Sequence, residues 1–181
     1  MATRWVSGRR VVWWLGSPVA LLGTGWLAGL RLNLTGSLPV GLYLASRAVP
    51  IRGTIVLACL PPRVAAFARN RGYVPRGGGC PGDVLPLGKP VLAVAGDTVT
   101  VTSSGLLVNG IPVPNSRPLV TDRKGRPLPR LAFGRYVVRA ASLWLVSSYS
   151  RFSFDSRYFG PVKTGQVRAC VRRLWTAGPD Q

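Results

Sequence analysis

Histidine and glutamate are both absent from this sequence of 181 residues, and only five acidic residues, all aspartate, carry negative charge. Without histidine, Ser-His-Asp and Cys-His catalysis and His-ligated zinc centres are excluded. Without glutamate, Glu-based acid catalysis is excluded as well. A hydrolase built on this chain needs another base. Lysine is also scarce, limited to Lys89, Lys124 and Lys163.

What is abundant is arginine: 24 Lys plus Arg against 5 acids leave a formal charge of +19. The arginines are dispersed along the chain in runs of no more than two, with no basic helix, zinc-ligand set or aromatic RNA-binding motif, so direct nucleic-acid binding is not expected. An anionic lipid surface accounts for the charge equally well, each juxtamembrane cation contributing about 1 kcal/mol. A GC-rich genome would favour arginine over lysine with no functional reason at all. Hydrophobic residues at 47%, with 22 glycines and 16 prolines, describe a loop-rich globular chain rather than a disordered one.

Val11 to Leu30 form twenty residues without a charge, preceded by Arg4, Arg9 and Arg10 and followed by Arg31. At about 1.5 Å per residue a helix of this length spans a bilayer core of about 30 Å. Trp13, Trp14 and Trp26 suit the two interfaces, and the arginines before the run favour a cytoplasmic N-terminus. The alternative is a cleaved signal peptide, whose apolar core is usually about 7 to 15 residues; the length here favours a retained anchor. Residues 1–32 are therefore expected to form a cytoplasmic tip and transmembrane anchor, and residues 33–181 a single domain.

Beyond Arg31 short apolar stretches alternate with turn signals. Thr54–Cys59, Val91–Ala95, Thr98–Thr102, Leu106–Val108, Tyr136–Arg139, Ser142–Val146 and Val167–Leu174 read as strands. Asn109-Gly110 is a two-residue hairpin turn, and Pro112 and Pro114 confine its second arm to a sheet edge. One helix is expected over Arg63–Asn70, after Pro61-Pro62 and before Gly72. The expected fold is mainly β: an N-terminal transmembrane helix followed by one antiparallel β domain. Of the three cysteines, Cys59 and Cys80 are the expected disulfide, closing a loop of about twenty residues worth about 3 kcal/mol. Three buried thiols are the alternative.

Immediately after the apolar run comes Thr35-Gly36-Ser37-Leu38-Pro39-Val40-Gly41, a tight turn able to present the Ser37 hydroxyl. A serine nucleophile needs a base, and lysine, aspartate or the N-terminal amine remain. Lys124 lies in a solvated turn and Lys163 in a loop. Lys89 opens an apolar strand, where burial would discharge its amine; the alternative is a strand-end lysine reaching solvent. In Ser153-Phe154-Asp155-Ser156-Arg157, an extended backbone would place Ser153, Asp155 and Arg157 on one face. A turn closed by an ion pair is the plain alternative.

The ordered series Ser37-x-Pro39, Arg52-Gly53-x-x-Val56, Lys89-x-Val91 to Ala95-Gly96-Asp97-Thr98-Val99, and Ser153-x-Asp155-Ser156-Arg157-Tyr158-x-Gly160 resembles the boxes of type I signal peptidases. The extended turn Ser37 to Tyr43, with Cys59-Leu60-Pro61-Pro62 and Gly79-Cys80-Pro81-Gly82, is more similar to their conjugative-transfer, TraF-type branch. The resemblance implies a signal-peptidase-like β domain in which Ser37 is the nucleophile and Lys89 the general base. It implies that Ser153 holds the lysine amine, and that Thr35 joins the Ser37 N–H in the oxyanion hole. It further implies that Asp155 and Arg157 organise one wall, Asp155 acting more directly in the conjugative branch. Pro90 and Ala95 depart from the housekeeping pattern of a basic residue and a proline.

The function so implied is a serine endopeptidase of a bacterial inner membrane, single-pass, with its catalytic domain in the periplasm and no metal or cofactor. Its partners would be the lipid bilayer, a membrane-embedded pilin-like precursor and other proteins of a conjugation apparatus. The precursor would be trimmed near its C-terminus and cyclised. General signal-peptide cleavage and a non-catalytic membrane-anchored β module are the alternatives.

Overall fold

The computed structural model describes residues 28–177. Residues 11–27 of the apolar run lie outside them, and no helix among the described residues is long and apolar enough to cross a membrane. The last residues of that run are not helical. Leu30 already belongs to the first strand, β1 (Leu30–Asn33), paired with Leu44 of β2 (Gly41–Ser46). Leu30 to Leu32, counted with the anchor in the sequence, thus satisfy their backbone groups in a sheet.

Two sheets build the domain. The larger has seven strands in the order β1-β2-β12-β3-β5-β10-β11. It includes β3 (Ile55–Ala58), β5 (Leu87–Ala93), β10 (Ser142–Leu145), β11 (Val162–Lys163) and β12 (Val167–Thr176). The smaller sheet orders β8 (Ile111–Pro112), β7 (Leu106–Val108), β6 (Thr98–Val101) and β9 (Gly134–Val137). Every pairing between these strands is antiparallel, as the alternating patterns imply. Asn109 and Gly110 turn the hairpin with φ of 52° and 85°, and the arm carrying Pro112 is an edge strand.

Helix α1 (Pro62–Arg71) starts with proline in its first turn and ends on Gly72 in the left-handed region. Strand β4 (Arg76–Cys80) follows it. The Cys59–Cys80 disulfide ties the approach to α1 to the end of β4, leaving Cys170 as a buried free thiol. Around the disulfide, α1 packs with Leu87, Phe154 and Tyr158 into one core. A second core fills the space under the small sheet around Trp144, and a third lies at the centre of the large sheet.

Asp97, at the turn between β5 and β6, holds the two sheets in register. Its carboxylate pairs with Arg52 and accepts from the Val94 N–H at 2.8 Å and Asn109 Nδ2 at 2.9 Å. The Arg52 and Asp97 boxes are thus one structural joint.

Candidate active site

Ser37 stands in the loop joining β1 to β2. Asn33, the last residue of β1, folds that loop around its side chain in an Asx-type arrangement. Its Oδ1 accepts from the Thr35 N–H at 3.2 Å and the Thr35 hydroxyl at 2.7 Å. Its Nδ2 is shared among the carbonyls of Thr35, Leu38 and Pro39. Leu38 is buried beneath Ser37, and Tyr43 donates its hydroxyl to the Pro39 carbonyl at 2.7 Å. Gly41 closes the loop where β12 crosses: a Cβ there would lie 2.1 Å from the Trp175 carbonyl. Only glycine at position 41 admits this approach.

Lys89 is placed by strand parity. In β5 burial alternates strictly, and Leu87, Lys89, Val91 and Ala93 share the inward face. The side chain is 1% exposed, so the alternative of a lysine reaching solvent is not what forms. Burial pulls its pKa down from 10.5 to about 8, opposed by the nearby Asp155 carboxylate and reinforced by Arg157. Lys89 shares a cleft of about 370 Å³ with Thr35, Gly36, Ser37 and Ser153.

Ser153 Oγ is buried in that wall and makes no hydrogen bond. A buried hydroxyl left unpaired costs free energy, so it is poised to take a partner from the cleft. Thr35 lies on the same cleft, with its single hydroxyl proton given to Asn33.

Asp155 and Arg157 meet, but not by strand alternation. The backbone turns at Asp155 into the short helix α2 (Ser156–Phe159), with Asp155 as its cap accepting from the Arg157 N–H at 3.2 Å. This turn swings the guanidinium back onto the carboxylate in a two-pronged pair, both contacts 2.8 Å and both side chains fully buried. Arg157 also donates to the carbonyls of Ser153 at 2.9 Å and Asn115 at 3.1 Å, so the pair anchors the segment carrying Ser153. Asp155 does not line the cleft; it is fully buried beside the segment carrying Ser153, where its charge favours the protonated form of Lys89.

Ser147 was not foreseen. Fully buried just after β10, it donates its hydroxyl to the Ser37 carbonyl at 2.5 Å and its N–H to Asp155 Oδ2 at 3.2 Å. It links the Asp155–Arg157 pair to the Ser37 loop. Nothing local distinguishes it from neighbouring Ser148, whereas Asn33-x-Thr35-Gly36 carried a legible Asx-turn signal.

A cleft joining an accessible serine, a buried lysine of lowered pKa and an unpaired serine hydroxyl can support proton removal from a hydroxyl nucleophile. Comparison with known proteins identifies the family. Residues 30–175 match the family described as signal peptidase, peptidase S26. A plasmid transfer protein TraF of Escherichia coli is 44% identical over 163 residues, covering 89% of this chain and 91% of that protein. The conjugal transfer protein TraF of Agrobacterium fabrum is 37% identical over 182 residues, covering 96% of this chain and all of that protein. Among solved structures, a signal peptidase I from Enterococcus faecalis aligns over 69% of this chain and 98% of its own at 19% identity, with a TM-score of 0.40. The chain belongs to the signal peptidase S26 family, in its conjugal-transfer TraF branch.

Proposed function

We propose that the protein is a membrane-anchored serine endopeptidase in which Ser37 and Lys89 form the reacting pair. The observation that carries this reading is the buried Lys89, held near a pKa of about 8 in the cleft that Ser37 lines. Ser37 Oγ attacks the scissile carbonyl while Lys89 Nζ takes its proton. The same proton then passes to the leaving amine as the carbon–nitrogen bond breaks, leaving an acyl-enzyme on Ser37. The Ser37 N–H faces the developing oxyanion, and Thr35 joins it once its hydroxyl turns from Asn33. Ser153 supplies the hydrogen bond that steadies the lysine amine.

Leu32, Leu34, Val40 and Trp175 are exposed near the start of the domain, which suits a site held at a lipid surface. On this reading the anchor places the domain on the periplasmic face of the inner membrane, and the substrate is a membrane-embedded pilin-like precursor. An acyl-enzyme attacked by that precursor's own N-terminal amine yields a circular product, because a held amine competes with water through effective concentration. Intact-mass measurement of the pilin from conjugating cells tests this. The expected product is trimmed and lighter by one further water, and a Ser37→Ala strain leaves the precursor whole. A trimmed linear pilin would overturn cyclisation, and normal maturation in the Ser37→Ala strain would overturn the enzyme.

A further inference from the structure

The cleft does not end at the reacting pair. It continues past Phe154 and Tyr73 to a basic lip formed by Arg71, at the end of α1, and by the turn Asp122-Arg123-Lys124-Gly125-Arg126. The Phe154 and Tyr73 rings are 5.0 Å apart, and the Tyr73 hydroxyl donates to Asp122 Oδ2 at 2.6 Å. Asp122 is the lip's one acid and is already saturated. Its Oδ1 accepts from the N–H groups of Lys124 and Arg126, each at 2.9 Å, and its Oδ2 accepts from Arg126 Nε at 2.7 Å. These bonds hold its carboxyl far below the usual carboxylate range, after a desolvation effect of opposite sign.

Four cations thus face one neutralised carboxylate. Arg126 is engaged by Asp122 and by the Arg71 carbonyl at 2.9 Å, and Arg123 stacks over the Phe152 ring at 4.4 Å. Arg71 lines the cleft with its guanidinium 4.9 Å from the centroid of the Phe67 ring and its Nη1 3.8 Å from Asp122 Oδ2, and that nitrogen makes no hydrogen bond. A guanidinium short of one hydrogen bond in the cleft wall, facing an acid whose oxygens are already taken, with Lys124 exposed nearby, is a half-built anion site.

We propose that Arg71 and Lys124 form a substrate-carboxylate subsite, recognising a side-chain or terminal carboxylate on the peptide segment bound beyond the scissile bond. The inference rests on the reading of Ser37 and Lys89 as the reacting pair. Arg71, Lys124, Tyr73, Phe154 and Ser153 line one cleft, so a single extended peptide of a few residues, at about 3.3 Å each, can reach both the reacting pair and the subsite. A peptide carboxylate, rather than a lipid phosphate, fits a site inside the substrate cleft and walled by aromatic rings. Recognition of this kind would select precursors whose released arm is short or acidic.

The test is calorimetric titration of the full-chain Ser37→Ala protein in uncharged detergent with short alanine peptides. One pair differs only in a free or amidated C-terminus; another differs only in Glu or Gln at the third residue, with both termini blocked. At least one acidic partner should bind about tenfold more tightly than its neutral twin, as expected of a charge-assisted contact. Which pair discriminates identifies the carboxylate. The preference should vanish in Arg71→Gln/Lys124→Gln, whose thermal midpoint serves as the folding control. Equal affinity within both pairs, no peptide binding, or displacement by glycerol phosphate without peptide preference would overturn the subsite. Failure of the wild-type enzyme to cleave peptides while the acid preference persists would count against the reacting pair alone.

Discussion

Replacing Lys89 by methionine should abolish processing and make the folded protein more stable at neutral pH. The lysine is 1% exposed, and its pKa falls from 10.5 to about 8 on folding. The unfolded chain therefore binds this proton more tightly than the folded one, so stability is lowest below about pH 8 and rises with pH until about 10.5. The shift corresponds to about 3 kcal/mol. Methionine fills a similar volume without a charge, and Asp155 is not orphaned because Arg157 remains bound to both its oxygens. Urea unfolding of the full chain in neutral detergent should show Lys89→Met ahead of the wild type by about 1–3 kcal/mol at pH 7, the gap narrowing above pH 8. A variant that is less stable than the wild type at pH 7, or a gap that does not change with pH, would refute the claim that burial lowers the pKa of Lys89 and destabilises its charged form.

Two further outcomes follow from the same geometry. Wild-type kcat/KM for a peptide bearing the cleavage site should rise about tenfold between pH 7 and 9, because the neutral fraction of a lysine of pKa about 8 grows from about 10% to about 90%; a midpoint near 10 would mean that Lys89 is not the base. Ser147→Ala removes the 2.5 Å hold on the Ser37 carbonyl, and kcat should fall tenfold or more with KM little changed and stability lower by about 1 kcal/mol. Loss confined to stability, at unaltered kcat, would show Ser147 to be merely structural.

The absence of histidine, the strand periodicities, the Asn109-Gly110 turn, the Cys59–Cys80 pair and the ordered boxes were all legible in the residues. They are local or compositional signals: a missing side chain, a period of two, a turn needing positive φ. Strands β1 and β2 were not anticipated, because Leu30 was counted in the apolar run and only three further residues of β1 follow it, and Gly41 to Ser46 carry too little polar alternation. For Asp155 and Arg157 the plain alternative, a turn closed by an ion pair, is the one that forms, since a capping turn brings residues two apart together as readily as a strand does.

The sequence by itself determined the chemistry available, a serine nucleophile whose base had to be something other than histidine, and the β class of the domain. Only the tertiary structure decided which groups meet. Burial of Lys89, the link from Asp155 through Ser147 to Ser37, and the merging of the Asp122–Arg126 turn with the catalytic cleft depend on contacts between residues tens of positions apart. A lysine's pKa is set by the water it loses and the charges it gains, and both belong to the packed fold rather than to any local stretch of chain.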